Sequence, residues 1–235
     1  MASSRATERQ RQSPLSRESA IAGQKRAAAG AAAELVEDGM RVGLGTGTTV
    51  AYLLPELAAG RKGLRCVATS PATELAARAL GLTVQAPDEV GELDIAIDGA
   101  DQIDPRGWLI KGGGGAHTRE KIVASSARRF VVIASANKAV EQLAPPVPLE
   151  LLAFALERTL AATGSARVRD AERSPDGGVI ADYLGAIGDP RELAARLSAI
   201  PGVVEHGLFP PEMVSLVLIA GEGPIERRTG AKPDD

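Results

Sequence analysis

Carboxylates, lysines and glycine-rich loops occur at the points of the sequence where buried strands are predicted to end. Asp98 and Asp101 follow the apolar run LDIAI, Lys111 and four glycines follow WLI, and Lys138 follows FVVIAS. Open α/β sheets bind their ligands at the carboxyl ends of the strands. We therefore expect these side chains to form one polar site that carries both signs of charge.

The segment GLGTGTT, residues 43–49, follows another predicted strand and opens a helix. It does not match G-x-G-x-x-G, because Thr48 stands where the last glycine would be, and it lacks the GK[ST] ending of a P-loop. Such a loop still offers an anion backbone N–H groups, hydroxyls and the positive end of a helix dipole. We interpret Thr46, Gly47, Thr48 and Thr49 as a phosphate site; a tight turn without a ligand is the alternative.

The carboxylates and helix residues near this loop have ordinary interpretations as well as functional ones. The segment Asp98-Gly99-Ala100-Asp101 is typical of an Asx turn, although two carboxylates beside a lysine can also hold hydroxyl groups and transfer protons. Glu120 lies near the start of the predicted helix TREKIVASSARR, at the end closest to the site. Lys25 and Arg26 belong to the first helix, where a solvated face is the default expectation.

The order of the predicted elements supplies a scaffold for these groups. Strands and helices alternate up to about residue 140, which predicts an α/β fold with a mostly parallel, doubly wound, Rossmann-like sheet. After APPVP the order is strand, helix, strand, strand, helix, strand, which is the ferredoxin-like α+β arrangement. The last of these strands is VVEHGLF, and the apolar segment MVSLVLIAG is expected to return to the first sheet.

This order predicts four segments. They are a disordered N-terminal tail over 1–19, an α/β catalytic domain over 20–145 plus 213–228, a smaller α+β domain over 146–212, and a polar C-terminal tail over 229–235. The N-terminal tail is rich in arginine and serine, as transit peptides are, but Glu8 and Glu18 argue against that alternative.

Composition narrows the classes of function. Aromatic residues make up 3% of the 235 residues and the formal net charge is −3, so a nucleic-acid partner is not expected. No run of apolar residues is long enough to cross a membrane. The single cysteine, Cys66, is interpreted as a small buried hydrophobe, and His117 and His206 share no metal-ligand spacing, so we expect no metal site.

The segments GLGTGTT, DGADQID, LIKGGGGAHTREKIVA and Asn137-Lys138 together resemble the type A family of ribose-5-phosphate isomerase in their order and spacing. The resemblance covers about residues 20–222. Gln102 stands where the family commonly has glutamate, and Thr48 stands where serine is common. The segment PPVPLELL differs from the sequence that is usual in the family at this place. None of these departures touches the expected catalytic set.

The resemblance implies an aldose–ketose isomerase that interconverts ribose 5-phosphate and ribulose 5-phosphate without a cofactor, in the non-oxidative pentose phosphate pathway. It implies that Glu120 is the proton-shuttling base and that Asp98, Asp101 and Lys111 line the sugar site. The positions that match substrate-binding segments of the family are Lys25, Thr46, Gly47, Thr48, Thr49, Gly99, Ala100, Lys111, Gly112, Gly113, Gly114 and Lys138. With such a protein we expect a small sugar phosphate as ligand, a homodimer and a cytoplasmic location.

Other functions remain open at this point. A non-catalytic sugar-phosphate-sensing domain, as in repressors of the DeoR type, is one alternative, although no helix-turn-helix is recognisable ahead of Lys25. Another enzyme of the same fold group, such as a sugar-phosphate lactonase or an amino-sugar-phosphate deaminase, is a second, and a deaminase would be expected to use a histidine. The sequence also leaves open whether Lys111 serves the oxyanion or the phosphate.

Overall fold

The computed structural model describes residues 14–232. The strands of this part of the chain are β1 (Arg41–Leu44), β2 (Arg65–Ala68), β3 (Thr83–Val84), β4 (Leu93–Asp98), β5 (Gln102–Ile103), β6 (Leu109–Ile110), β7 (Ala127–Ser135), β8 (Val147–Leu151), β9 (Ala166–Val168), β10 (Val179–Tyr183), β11 (Val203–His206), β12 (Leu208–Phe209), β13 (Leu216–Ala220) and β14 (Glu226–Thr229). The α-helices are α1 (Pro14–Ala33), α2 (Thr48–Gly60), α3 (Pro71–Ala79), α4 (Pro87–Val90), α5 (His117–Ser125), α6 (Leu156–Thr163) and α7 (Pro190–Ser198). Short 3-10 turns follow β7 (Ala136–Lys138) and β12 (Pro211–Met213).

The large sheet has the strand order β14-β13-β7-β4-β1-β2-β3 and is parallel except for the edge pair of β13 and β14. Helices α1, α2 and α3 pack on one face, and α4 and α5 pack on the other. The predicted doubly wound, mostly parallel sheet is therefore confirmed, including the return of MVSLVLIAG as β13 beside β7.

The sequence of β4 explains why this strand lies in the middle of the sheet. Its apolar side chains are divided between two cores, with Ile95 and Ile97 in the core under α1 and α2, and Leu93 and Ala96 in the core under α5. A strand that is buried on both faces needs apolar residues at nearly every position. Its two aspartates lie towards its ends: Asp94 pairs with Arg41, and Asp98, the last residue, reaches the site.

A second sheet, which we call the antiparallel unit, is formed within residues 147–206. Its strand order is β11-β8-β10-β9, and helices α6 and α7 complete the order strand, helix, strand, strand, helix, strand. This is the predicted ferredoxin-like arrangement. Its core is separate from the two cores of the large sheet.

Two sequence predictions about strands are wrong. WLIK does not end at the edge of the parallel sheet, because β6 pairs in antiparallel fashion with β5 and β12 in a small third sheet. VVEHGLF is not one strand: β11 belongs to the antiparallel unit and β12 to the small sheet. The chain changes sheet at Gly207, where a Cβ would overlap the carbonyl oxygen of Lys111.

Some boundaries also differ from the predicted ones. Helix α5 ends at Ser125, and the arginines expected at its end belong to β7. Residues 14–19, expected in the N-terminal tail, are part of α1, and Thr229 ends β14. The rest of the two predicted tails, residues 1–13 and 233–235, lies outside the described residues, and the domain boundaries remain a prediction.

Candidate active site

The candidate site lies where three neighbouring parallel strands end at the same edge of the large sheet. Strand β1 leads into Gly45–Thr49, β4 ends at Asp98, and β7 leads into the turn that carries Lys138. Strands β2 and β3 extend the sheet on one side of the β1–β4 pair, and β7 and β13 extend it on the other. The chain therefore builds the sheet outward in opposite directions from β1 and β4. At such a switch point a crevice opens between the strand ends, and ligands of this class of sheet usually bind there.

The crevice contains a cavity of about 140 Å³. It is lined by Lys25, Thr46, Gly47, Thr48, Thr49, Gly99, Ala100, Asp101, Lys111, Gly112, Gly113, Gly114, Glu120 and Lys138. The structure thus brings together every residue that the sequence singled out for the site. Asp98 is the one member of the set that does not line the cavity, and it lies behind Lys111.

One side of the cavity, which we call the carboxylate side, consists of Lys111 and Glu120, with Asp98 behind Lys111. The Lys111 ammonium lies 2.8 Å from Asp98 Oδ2 and 3.2 Å from Glu120 Oε2, and it donates to the carbonyl oxygen of Gly99 at 2.6 Å. All three side chains are at most 5% exposed. One cation therefore faces two carboxylates in a place that water barely reaches.

Burial and charge shift the pKa of each member of this group. Burial raises the pKa of Glu120 to about 7; the Lys111 charge opposes this and the Asp98 charge adds to it. Burial also raises the pKa of Asp98 against the effect of Lys111. For Lys111 burial acts to lower the pKa, but the two carboxylates outweigh it and raise the pKa above its ordinary value. Since a single lysine cannot neutralise two carboxylates, the group is poised to exchange a proton near neutral pH.

The backbone holds Asp98 in this position. Its Oδ1 accepts hydrogen bonds from the N–H groups of Thr46 at 3.1 Å and Gly99 at 2.7 Å. Gly45 is essential to this approach, because a Cβ there would overlap the Asp98 carboxylate. We did not single out Gly45 from the sequence, although it lies inside the GLGTGTT segment.

The opposite side, which we call the threonine-loop side, consists of Thr46–Thr49 with Lys25 and Lys138. Gly47, with φ of 110°, precedes the first turn of α2, and the N–H groups of Thr48 and Thr49 have no protein acceptor within residues 14–232. Lys25 Nζ donates to Thr48 Oγ1 at 2.7 Å. Lys25 thus faces the cavity, whereas its neighbour Arg26 lies over the ring of Tyr52.

The four glycines connect Lys111 to α5, and steric limits differ along the run. Gly112 has φ of 101°, and a Cβ there would lie 2.6 Å from Nδ1 of His117. At Gly113 a Cβ would lie 2.9 Å from Asp101 Oδ1, and the Gly113 N–H donates to Asp101 Oδ2 at 2.8 Å. Larger side chains would therefore displace either the buried histidine or the Asp101 carboxylate.

Contacts of the residues next to Glu120 fix the orientation of helix α5, so that Glu120 faces the cavity. Thr118 donates to Glu150, Arg119 pairs with Asp176 at 2.7 Å, and Lys121 contacts Glu205 at 2.6 Å. These three acceptors belong to the antiparallel unit or to its loops. The sequence offered no local signal for these contacts, since the partners are distant along the chain.

Comparison with known proteins identifies the family. The family model for ribose 5-phosphate isomerase A (phosphoriboisomerase A) matches residues 65–223. Ribose-5-phosphate isomerase A of Methanosarcina acetivorans is 50% identical over 204 residues, which is 79% of this chain and 86% of that protein. The protein of the same name from Bradyrhizobium diazoefficiens is 46% identical over 231 residues, 87% of this chain and 95% of that protein.

Solved structures agree with this match. A ribose 5-phosphate isomerase from Plasmodium falciparum has a TM-score of 0.85 at 31% identity, with coverage of 89% of this chain and 99% of that chain. A D-ribose-5-phosphate isomerase in complex with phospho-erythronic acid has the same TM-score at 30% identity, with the same coverage. The chain belongs to the ribose 5-phosphate isomerase A family.

Three further observations concern metals, membranes and the single cysteine. Within residues 14–232, no group of three or more histidine, cysteine, aspartate or glutamate side chains is arranged to hold a metal ion. Among the described helices, none combines the length and the apolar character needed to span a bilayer. Cys66 is fully buried in the first core, and burial raises the pKa of its thiol to about 12.

Proposed function

We propose that this chain interconverts ribose 5-phosphate and ribulose 5-phosphate by moving a proton between C1 and C2 of the open-chain sugar through an enediolate, with Glu120 as the base. As a member of its family, the chain is an aldose–ketose isomerase. The observation that carries the residue assignment is the Lys111–Glu120–Asp98 group at the inner wall of the cavity.

Glu120 suits the role of a base that acts on both carbons. A general base is most effective when its pKa lies near the working pH, and burial raises the pKa of Glu120 to about 7. Its Oε2 is buried 3.2 Å from the Lys111 ammonium and has no other donor among the described residues. The Glu120 carboxylate, which lines the cavity, therefore keeps lone pairs that can take a proton from carbon.

We assign Lys111 to the oxyanion rather than to the phosphate. Its ammonium is already 3.2 Å from the Glu120 carboxylate, so a substrate carbon beside Glu120 places its developing oxyanion next to Lys111. A fixed, buried cation stabilises charge in the transition state more strongly than a solvated one. Asp101, held by the Gly113 N–H, would position the sugar hydroxyls and assist ring opening.

The threonine-loop side would bind the phosphate. The unpaired N–H groups at the start of α2, the threonine hydroxyls and the two lysines all favour an anion there. Binding energy from this remote group would hold C1 and C2 against Glu120. Phospho-erythronic acid, the ligand of a solved relative, likewise joins a phosphate to a sugar acid.

A deaminase is disfavoured by the positions of the two histidines. His117 is fully buried beneath Gly112, and His206 is buried and contacts Ser198. Neither lines the cavity.

The test of the proposed activity is direct. The purified protein is incubated with ribose 5-phosphate in the presence of EDTA, and ketose formation is followed. We expect full activity with the chelator. Absence of product would overturn the proposed activity, and activity that EDTA abolishes would overturn the metal-free mechanism.

We also propose a cytoplasmic homodimer, as the resemblance to the family implies. Light scattering on the purified protein should give twice the mass of the chain, which is 24.2 kDa. A mass equal to one chain at working concentrations would contradict the dimer.

A further inference from the structure

Arg169 connects the antiparallel unit to the glycine loop of the cavity. It directly follows β9 and is absent from the lining of the cavity itself. Its Nη1 donates to the carbonyl oxygens of Gly112 at 3.1 Å and Gly113 at 3.0 Å. One guanidinium nitrogen thus forms hydrogen bonds with two successive peptide groups of the loop.

The arginine is itself firmly anchored. Its Nε and Nη2 form a bidentate pair with the carboxylate of Asp182 on β10, with Nε at 2.9 Å from Oδ2. Its backbone N–H donates to the carbonyl oxygen of Ile180 on the same strand at 2.9 Å. A planar guanidinium held at both edges has a fixed orientation.

The two peptide groups that Arg169 holds have their N–H groups on Gly113 and Gly114, which both line the cavity. The Gly112–Gly113 peptide accepts from Arg169 through its carbonyl and donates through the Gly113 N–H to Asp101 at 2.8 Å. The Gly113–Gly114 peptide accepts from Arg169 in the same way, and the Gly114 N–H has no acceptor among the described residues. A cation at the carbonyl end strengthens the donor at the other end of each peptide.

We propose that Arg169 is a positioning residue for the isomerisation: through the Gly112–Gly113 peptide it fixes the Asp101 carboxylate, and through the next peptide it presents the Gly114 N–H to the substrate. This inference rests on the proposed function of the cavity. It assigns the antiparallel unit a part in the reaction, although that unit contributes no side chain to the cavity lining.

The matched control is another arginine in a bidentate pair with an aspartate. Arg41 binds Asp94 through Nε at 3.1 Å and Nη2 at 2.8 Å, at the opposite end of β1 from the cavity. Arg41→Met removes a comparable ion pair without touching the glycine loop. Loss of structural support alone would affect Arg41→Met and Arg169→Met alike.

The experiment compares kcat and KM for ribose 5-phosphate in wild type, Arg169→Met, Arg169→Lys and Arg41→Met, well below their unfolding temperatures. We expect Arg169→Met to lose roughly 10- to 100-fold in kcat, the scale on which misplaced reacting groups act, with a smaller change in KM. Arg169→Lys should lose less kcat than Arg169→Met, because lysine keeps the positive charge although it lacks the planar, forked donors of the guanidinium. Free guanidinium, far below denaturing concentrations, should restore part of the kcat of Arg169→Met, and Arg41→Met should keep the wild-type kcat.

Wild-type kcat in Arg169→Met would overturn the inference. So would equal losses in Arg169→Met and Arg41→Met, or a loss that guanidinium does not relieve, since either outcome indicates a merely structural role. Failure of the proposed function is a separate result, because it appears as an inactive wild-type protein in the same assay.

Discussion

The two sides of the cavity hold charged groups under opposite conditions. On the carboxylate side, the side chains of Lys111, Asp98 and Glu120 are 3–5% exposed, and both carboxylates lie within ion-pair distance of Lys111. On the threonine-loop side, the Lys138 side chain is 33% exposed, and its ammonium is 4.0 Å from the nearest carboxylate, that of Asp101. One side is almost fully buried, and the other is open to solvent.

This difference suits two different tasks. Buried charges have shifted pKa values and act strongly on a reacting atom, because little solvent screens them. Solvated lysines and backbone N–H groups attract a phosphate and release it again, since water replaces the ligand at little cost. We therefore assign proton transfer to the carboxylate side and substrate retention to the threonine-loop side.

The largest combined effect is expected for Lys111→Met. It would leave two buried carboxylates without a cation, which costs about 3–5 kcal/mol in the free energy of unfolding, and it would remove the proposed oxyanion partner, which costs roughly 10²–10³ in kcat. Thermal unfolding and steady-state kinetics measure the two effects. Lys62→Met, at an exposed lysine, is the control, and a kcat of Lys111→Met close to that of wild type would refute the oxyanion assignment.

The pH dependence of turnover should report the buried carboxylate side. Glu120 must be ionised to accept a proton, and burial raises its pKa to about 7, so kcat at saturating substrate should fall below that pH, approaching about tenfold per unit. The fall should have the same midpoint in Lys138→Met, because that lysine belongs to the other side. A midpoint near 4.5, the ordinary value for glutamate, would contradict the assignment.

Lys138→Met should affect binding more than chemistry. Loss of one charge-assisted contact to a phosphate predicts a roughly tenfold rise in KM with kcat nearly kept. Raising the salt concentration should weaken substrate binding to wild type more than to this variant. A fall in kcat at constant KM would mean that the two sides do not divide the work in this way.

His117→Leu tests whether burial alone makes a residue functional. His117 is fully buried with both ring nitrogens unpartnered, and burial, with the nearby Lys121 charge, lowers its pKa to about 4. The unfolded state takes up a proton below about pH 6.5 and the folded state does not, so wild type should lose about 2 kcal/mol of stability through this residue between pH 7 and pH 5.

The variant should be at least as stable as wild type at pH 7, should lack this part of the pH dependence, and should keep wild-type kcat. His206 is present in both proteins, and burial and the Lys121 charge lower its pKa to about 4 in the wild type, so we expect its effect to cancel in the comparison. Equal pH dependence of unfolding in the two proteins, measured by thermal melts at several pH values, would contradict the prediction.

The threonine-loop side could be predicted from local sequence, because parallel strands end at one edge and the loop and helix start are contiguous. Lys111 lies in the cavity, as the sequence predicts, although its strand belongs to a different sheet from the predicted one. The two-residue strand β6 is too short for any periodicity. Its partner β12 is distant in the chain, and its other partner, β5, is close in sequence but equally short. Strand β14 was not predicted at all, since ERRT carries no apolar alternation.

The contacts that hold the glycine loop and helix α5 could not be predicted, for a related reason. Arg169 lies 57 residues from Gly112, and the acceptors of Thr118, Arg119 and Lys121 are similarly remote. No single motif spans such pairs, so only the packed antiparallel unit brings them together. Gly45 could have been found, because a glycine between a strand end and a neighbouring strand's aspartate indicates close backbone approach.

The central claim is that Glu120 performs the proton transfer and is not needed to hold the substrate. The most direct test is Glu120→Gln, with turnover of ribose 5-phosphate and calorimetric binding of phospho-erythronic acid measured on the same preparation. Loss of roughly 10²–10⁴ in kcat, the scale of a positioned acid–base group, with binding within a few-fold of wild type, is the predicted result. Near wild-type turnover in Glu120→Gln would contradict the account.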